Sequence, residues 1–131
     1  MDGRKRPWWD YADNLLNSDL GTIKSVSFTY ASGFSNCDSN WKTQCWRVGK
    51  VLYAKINCKH NAAMGAGSST NIFTLDSSLV LYGDFQFTLV CGTKILIGTV
   101  YANRTVNVHV PNPNTLSAND WIQGYFMAIV G

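Results

Sequence analysis

The stretch QCWRVGKVLYAKINC, residues 44–58, decides how the rest of the chain is read. Two runs of strand-forming residues flank Gly49-Lys50. A two-residue connection with Gly in first place is the mark of a type II′ hairpin, whose twist suits the strands it joins. That register sets Val48 opposite Val51 and Trp46 opposite Tyr53, because directly opposed residues share a face. The second strand then carries Leu52, Ala54, Ile56 and Cys58 on one side, with Val51, Tyr53 and the stem of Lys55 on the other. Both sides are apolar. One can fill the core of the domain, and the other needs a cover or a use.

Working outward, the period of two persists. Val26, Phe28 and Tyr30 alternate with Ser25, Ser27 and Thr29, which predicts a single half-buried strand from Ile23 onward. Residues 31–43, ASGFSNCDSNWKT, read as loop, and residues 60–70, HNAAMGAGSST, as a flexible connection. NIFTL at 71–75 is a short strand, followed by an irregular crossing over 76–84. Strands are expected over 85–91, 94–101, 105–110 and 121–130, parted by Gly92-Thr93, by Ala102-Asn103-Arg104 and by a proline-containing loop. Short strands with turns every 8–12 residues or so predict an all-β fold, an antiparallel β-sandwich of jelly-roll type.

The composition agrees. All eight acidic residues are Asp, and the chain contains no Glu. Asp, Asn, Ser and Gly favour turns over helix interiors, whereas Val, Thr and Tyr favour strands. The 131 residues suit one domain with a core of its own. Residues 1–21 differ in character: Arg4, Lys5 and Arg6 precede Pro7, Trp8, Trp9 and Tyr11, then a helix-like DYADNLLNSDL. We read 1–21 as a linker or docking segment and 22–131 as the β-sandwich domain. No apolar run reaches the roughly 18 residues of a membrane helix, so membrane insertion is not expected. The basic N-terminus lacks the apolar region of a secretory signal. The net charge of +3 forms no basic stripe, which argues against nucleic acid as a partner. Cys37, Cys45, Cys58 and Cys91 show no CxxC spacing and read as free thiols, with Cys37–Cys45 the pair best placed for any bridge.

Little in the sequence suggests catalysis. His60 and His109 are the only histidines, and no metalloprotease, nucleophile-elbow, P-loop or paired-carboxylate motif occurs. The chain is therefore read as a non-enzyme without cofactor or metal. A saccharide site asks for less: an aromatic face to stack on a sugar ring, and polar groups to bond its hydroxyls. Candidates in or beside loops are Trp41 with Asn40 and Asp38, Tyr82 with Asp84, Tyr101 with Arg104, and Trp121. An Arg suits an anionic ligand because it can bind phosphate with two parallel hydrogen bonds. Trp41 stands out, since the Asn, Ser, Asp and Lys around it offer little to bury it.

Trp41, the run Trp46-Arg47-Val48-Gly49-Lys50-Val51, Ile72-Phe73-Thr74-Leu75 and Trp121 occur in an order that resembles a known family. The resemblance is to the C-terminal head domains of tail-fibre, receptor-binding and minor structural proteins of phages that infect Gram-positive bacteria, and it spans residues 22–131. It departs from the family at Asp76, where a Pro is frequent. It implies a β-sandwich head, usually homotrimeric, that binds saccharide or phosphosaccharide of the host cell wall. It further implies a place on the tail of the virion, assembled in the bacterial cytoplasm, with the N-terminal segment joining other tail or baseplate proteins. A trimer would also give the second apolar face of residues 51–58 a neighbour to press on. Two alternatives share these features: a carbohydrate-binding module of a secreted bacterial enzyme, and a purely structural baseplate or fibre subunit.

Overall fold

The computed structural model describes residues 22–131. The helix-like reading of residues 10–20 lies outside them, as does the domain boundary drawn at residue 21. Ten antiparallel strands run in chain order: β1 (Ile23–Ser25), β2 (Phe28–Tyr30), β3 (Phe34–Asn36), β4 (Gln44–Val48), β5 (Val51–His60), β6 (Ser69–Leu75), β7 (Phe85–Cys91), β8 (Lys94–Val100), β9 (Thr105–His109) and β10 (Trp121–Ile129). They form one sheet in the order β1-β4-β5-β10-β7-β8-β9-β6-β2, with β3 adding to β5.

The two edges of that order, β1 and β2, are neighbours in the chain, separated only by Val26 and Ser27. Val26 N donates to Cys45 O at 2.9 Å on one edge, and Asp76 N donates to Ser27 O at 3.0 Å on the other. The sheet therefore curls until its edge strands are consecutive in the chain, and both edges are kept to three residues, a length that offers little to pairing with other chains. This also corrects the expectation of one continuous strand from Ile23. Two residues must cross from one half of the curled sheet to the other, so the strand breaks there.

Both hairpins with Gly in first place form as the turn chemistry demands. Gly49 has φ 57° and Gly92 φ 61°, and Lys50 and Thr93 are not among the positive-φ residues. Val48 pairs with Val51 and Trp46 with Tyr53, the register read from the sequence. Two further segments depart from the sequence reading. The loop over 31–43 contains β3, and β6 begins at Ser69 inside the connection read as flexible. Met64 in that connection is 5% exposed and bridges Leu116, so the segment is pinned by one buried side chain.

Leu52, Ala54, Ile56 and Cys58 are fully buried and face Leu89, Leu96, Val100, Val106 and Val108 from the other half of the sheet. Burial of aliphatic side chains at about 25 cal/mol per Å² is the main term holding the two halves together. Between β10 and β7 they are joined by only two pairs, Gln123↔Val90 and Gly124↔Leu89. A Cβ on Gly124 would lie 2.7 Å from Thr88 O and 2.9 Å from Leu89 Cδ2, so glycine is what allows the close approach there. Below this join β7 leaves β10, and Phe85 and Phe87 fill the gap with their rings 5.7 and 5.0 Å from Phe126.

Candidate functional site

The register of β1, β4, β5 and β10 sorts the outer face of this part of the sheet into rows. The first is aliphatic: Ile23, Val48, Val51 and Ile129. The second holds Ser25, Trp46, Tyr53 and Met127, and the third Gln44, Lys55 and Tyr125. Asn57 and Gln123 make the fourth, and Lys59 and Trp121 the last. Apolar character thus falls from the end where the described chain begins to the opposite end, where the Trp returns. Across the middle, Trp46, Tyr53 and Tyr125 form a line of rings, with centroids 5.8 and 6.0 Å apart.

At the far end the loop over 37–43 projects Trp41 beside Trp121, the centroids 6.3 Å apart and the planes inclined by 44°. The indoles are 47% and 38% exposed, so a flat ligand can reach them. The loop holds its shape through Asp38. One carboxylate oxygen accepts from Asn40 N at 2.8 Å and from Trp41 N at 2.7 Å, an Asx turn that needs no other partner. Asn57, 3% exposed, anchors the loop from below. Its Nδ2 donates to Lys42 O at 3.2 Å, its N to Thr43 Oγ1 at 3.0 Å, and its Oδ1 accepts from Gln123 Nε2 at 2.8 Å. Asn36 completes the support, its Oδ1 accepting from Tyr30 Oη at 2.7 Å and Thr43 N at 3.1 Å. His60 lies at the same end against Phe34, ring centroids 4.5 Å apart.

Tyr82, Asp84, Tyr101 and Arg104 are at the other end. Tyr82 and Asp84 line an open groove of about 360 Å³ with Leu81, Phe85, Met127 and Ile129. Asp84 Oδ1 accepts from Ala102 N at 2.7 Å and so ties this loop to the β8–β9 hairpin. Arg104 is the last residue of that hairpin's connection, with φ 75° and its N donating to Tyr101 O at 2.8 Å. A left-handed residue closing a hairpin connection is normal geometry, but Gly or Asn usually takes the place. Arg104 Nε is buried without a hydrogen-bond partner. Asp76, where a Pro is frequent in the resembled family, uses the N–H a Pro lacks to reach Ser27 O. Its carboxyl sits below the usual carboxylate range, chiefly through the Ser78 N–H it accepts at 3.0 Å.

The eight residues singled out from the sequence are thus divided. Asp38, Asn40, Trp41 and Trp121 come together at the far end; Tyr82, Asp84, Tyr101 and Arg104 do so at the near end. Reading residue types in loops could not tell the ends apart. The signal that does is the β5–β10 register, which sets Trp121 opposite Lys59 and Ile129 opposite Val51. Lys59 and His60 at the far end, and Leu81, Met127 and Ile129 at the near end, escaped that reading for the same reason.

The described residues offer little for other chemistry. No group of three or more His, Cys, Asp or Glu side chains among them could hold a metal ion. No helix among them is long and apolar enough to cross a membrane. Ser69 Oγ and His109 Nδ1 lie 2.7 Å apart on the outer face of β6 and β9, with the amides of Asn71 and Asn107 as the next pair along these strands. The four thiols are free and buried. Burial pushes Cys37 up to about 11 and Cys45 up to about 12, and raises Cys58 and Cys91 as well. They stay protonated and unreactive at neutral pH.

No family model matches the sequence, and neither does any curated protein. Among solved structures the chain is similar to the head domain of lactococcal phage bIL170, whose crystal structure was described in asking whether the receptor-binding domains of lactococcal phages share a common fold. The match has a TM-score of 0.59 at 15% identity and covers 84% of this chain and 100% of that one. The fold implied by Trp41, the Trp46–Val51 run, Ile72–Leu75 and Trp121 is the fold found: this chain is built as a phage head domain is built.

Proposed function

We propose that this chain is a receptor-binding head of a phage tail that attaches to saccharide or phosphosaccharide of a Gram-positive cell wall without altering it covalently. The observation that carries the reading is the likeness in fold to the bIL170 head domain along that domain's whole length. The outer-face rows support an orientation. Residues 1–21 precede β1 at the aliphatic end, so the connection to the tail leaves from there. The end that meets the host is then the opposite one, where Trp41 and Trp121 stand on a loop braced by Asp38 and Asn57.

The chemistry fits a sugar. Two inclined indoles present apolar faces to ring C–H groups, and Asn40 and Lys59 beside them provide donors for hydroxyls or phosphate. An aromatic contact of this kind contributes roughly 0.5–1.5 kcal/mol, so a single site binds weakly. Three heads in a homotrimer, and several trimers on a tail, gain by avidity what each site lacks. The half-buried Trp46 and Tyr53 and the exposed Tyr125 and Met127, neighbours on the outer face, support contacts between copies. Retention of the chain on purified cell-wall polysaccharides, together with its mass by light scattering, tests the proposal. Saturable retention by a trimer is expected, and a monomer that ignores every polysaccharide contradicts it.

A further inference from the structure

The outer face of the other half of the sheet, on β6 to β9, has a different chemistry. Strand register sets Ile97, His109 and Ser69 in one row and Thr99, Asn107 and Asn71 in the next. Thr88 and Gln86 of β7 complete the two rows, and no Lys, Arg or Asp stands in either. A sheet face that meets only water ordinarily mixes charges of both signs. This one presents hydroxyls, amides and an imidazole instead. Asn107 faces outward yet is only 9% exposed, so it is the floor of the patch. Its Nδ2 donates to Asn71 Oδ1 at 3.2 Å, and Ser69 Oγ lies 2.7 Å from His109 Nδ1. Beside Asn71 the ladder carries a β-bulge that lets both Ile72 and Phe73 be buried. Bulges re-aim side chains and are frequent next to functional sites.

We propose that this patch is a second saccharide subsite, which takes one neutral pyranose unit. The hydrogen bonds within the two pairs fix the side chains, so little rotamer freedom remains to be lost on binding. They leave Asn71 Nδ2 to donate, Asn107 Oδ1 to accept and His109 Nε2 to do either. Neighbouring strands lie about 4.8 Å apart and the two rows about 6.8 Å apart, so these groups surround an area that suits one sugar ring with its hydroxyls. Half-buried Ile97 gives the ring C–H groups an apolar neighbour. Without Lys, Arg or Asp in the rows the patch has no partner for a charged unit, whereas the indole pair has Lys59 opposite Trp121. β9 leaves the near end after Arg104 and reaches His109 at its other end, so the patch lies toward the host-facing end of the head. Lacking an aromatic face, it is the weaker of the two subsites.

The subsite rests on the reading of the chain as a saccharide-binding head, and nitrogen–proton NMR of the full chain separates the failure of one from the failure of the other. The probes are glucose, galactose and N-acetylglucosamine, with glucose 1-phosphate as the charged counterpart of glucose. The side-chain amides of Asn71 and Asn107 should shift saturably with at least one neutral sugar, and should do so in the Trp41→Ala/Trp121→Ala variant as well. Asn71→Ala, at an exposed position, should weaken the response at Asn107 roughly fivefold, the share of one hydrogen bond. Glucose 1-phosphate should bind at these amides no more tightly than glucose. Silence of both amides toward every sugar would overturn the second subsite, and indole shifts of Trp41 and Trp121 in the same spectra would leave the head reading standing. Amide shifts without indole shifts would keep the subsite and remove the indoles from the contact. A response at Asn107 that survives Asn71→Ala undiminished, or that tightens with the phosphate, would also overturn the neutral subsite.

Discussion

The two ends of the outer face differ in what holds them. At the far end a polar loop is fixed by hydrogen bonds to Asp38, Asn36 and Asn57, and the indoles of Trp41 and Trp121 rest on that frame. At the near end β1, β4, β5 and β10 keep an unbroken register, and Ile23, Ile129 and Met127 stand exposed on them. A polar frame gives geometry that does not depend on a partner, as a ligand-binding end needs. An exposed aliphatic strip gives affinity for whatever apolar surface arrives, as an assembly end needs. Five predictions probe this contrast.

The largest effect falls on what both ends share. Leu52→Ala, at the centre of the core, should cost about 2–5 kcal/mol in chemical denaturation, because the packed core collapses only partly onto the cavity. Gly124→Val should come next, since its side chain meets Thr88 O and Leu89 where the halves join; overpacking of this kind costs about 1–3 kcal/mol. At the far end, Asn57→Ala strands Gln123 Nε2 and Lys42 O. It should cost about 1–3 kcal/mol and blur the indole signals in near-ultraviolet circular dichroism. Ile129→Glu at the near end should change stability by no more than about 0.5 kcal/mol, as exposed positions do. An equal loss from Asn57→Ala and Ile129→Glu would erase the distinction between the ends.

The smallest effect is one of pH. Cys45 titrates near 9 when unfolded, and burial holds it up to about 12 in the fold. The folded state therefore keeps a proton that the unfolded state gives up. Stability that is fully present below pH 9 falls as pH rises toward 12, by at most about 1.4 kcal/mol per unit for this group. Cys45→Ala should flatten that slope in denaturation series between pH 8 and 10, and an unchanged slope would mean that the thiol is not buried as described.

Much of this was legible in the sequence. Gly49-Lys50 and Gly92-Thr93 specify two hairpins, and period-two alternation places the core residues of β5, β7 and β8. Trp41 could be singled out because nothing apolar in the sequence near it could cover it. The break between Ser25 and Phe28 was not legible, because it follows from which distant strands pair with each half. The separation of Tyr82 and Asp84 from Trp41 was hidden for the same reason, since only strand register tells which end of a sheet a loop occupies. Arg104 sits where its turn favours Gly or Asn, a choice that local rules do not foresee.

The central claim is that the end bearing Trp41 and Trp121 meets the host. The most direct test compares binding of wild type, the double variant Trp41→Ala/Trp121→Ala and Tyr82→Ala to the cell-wall polysaccharide that retains the wild-type chain. Losing two aromatic contacts of about 1 kcal/mol each should weaken binding roughly thirtyfold in the double variant, while Tyr82→Ala binds as wild type does. Wild-type binding by the double variant, with the loss falling on Tyr82→Ala instead, would contradict the account and turn the molecule end for end.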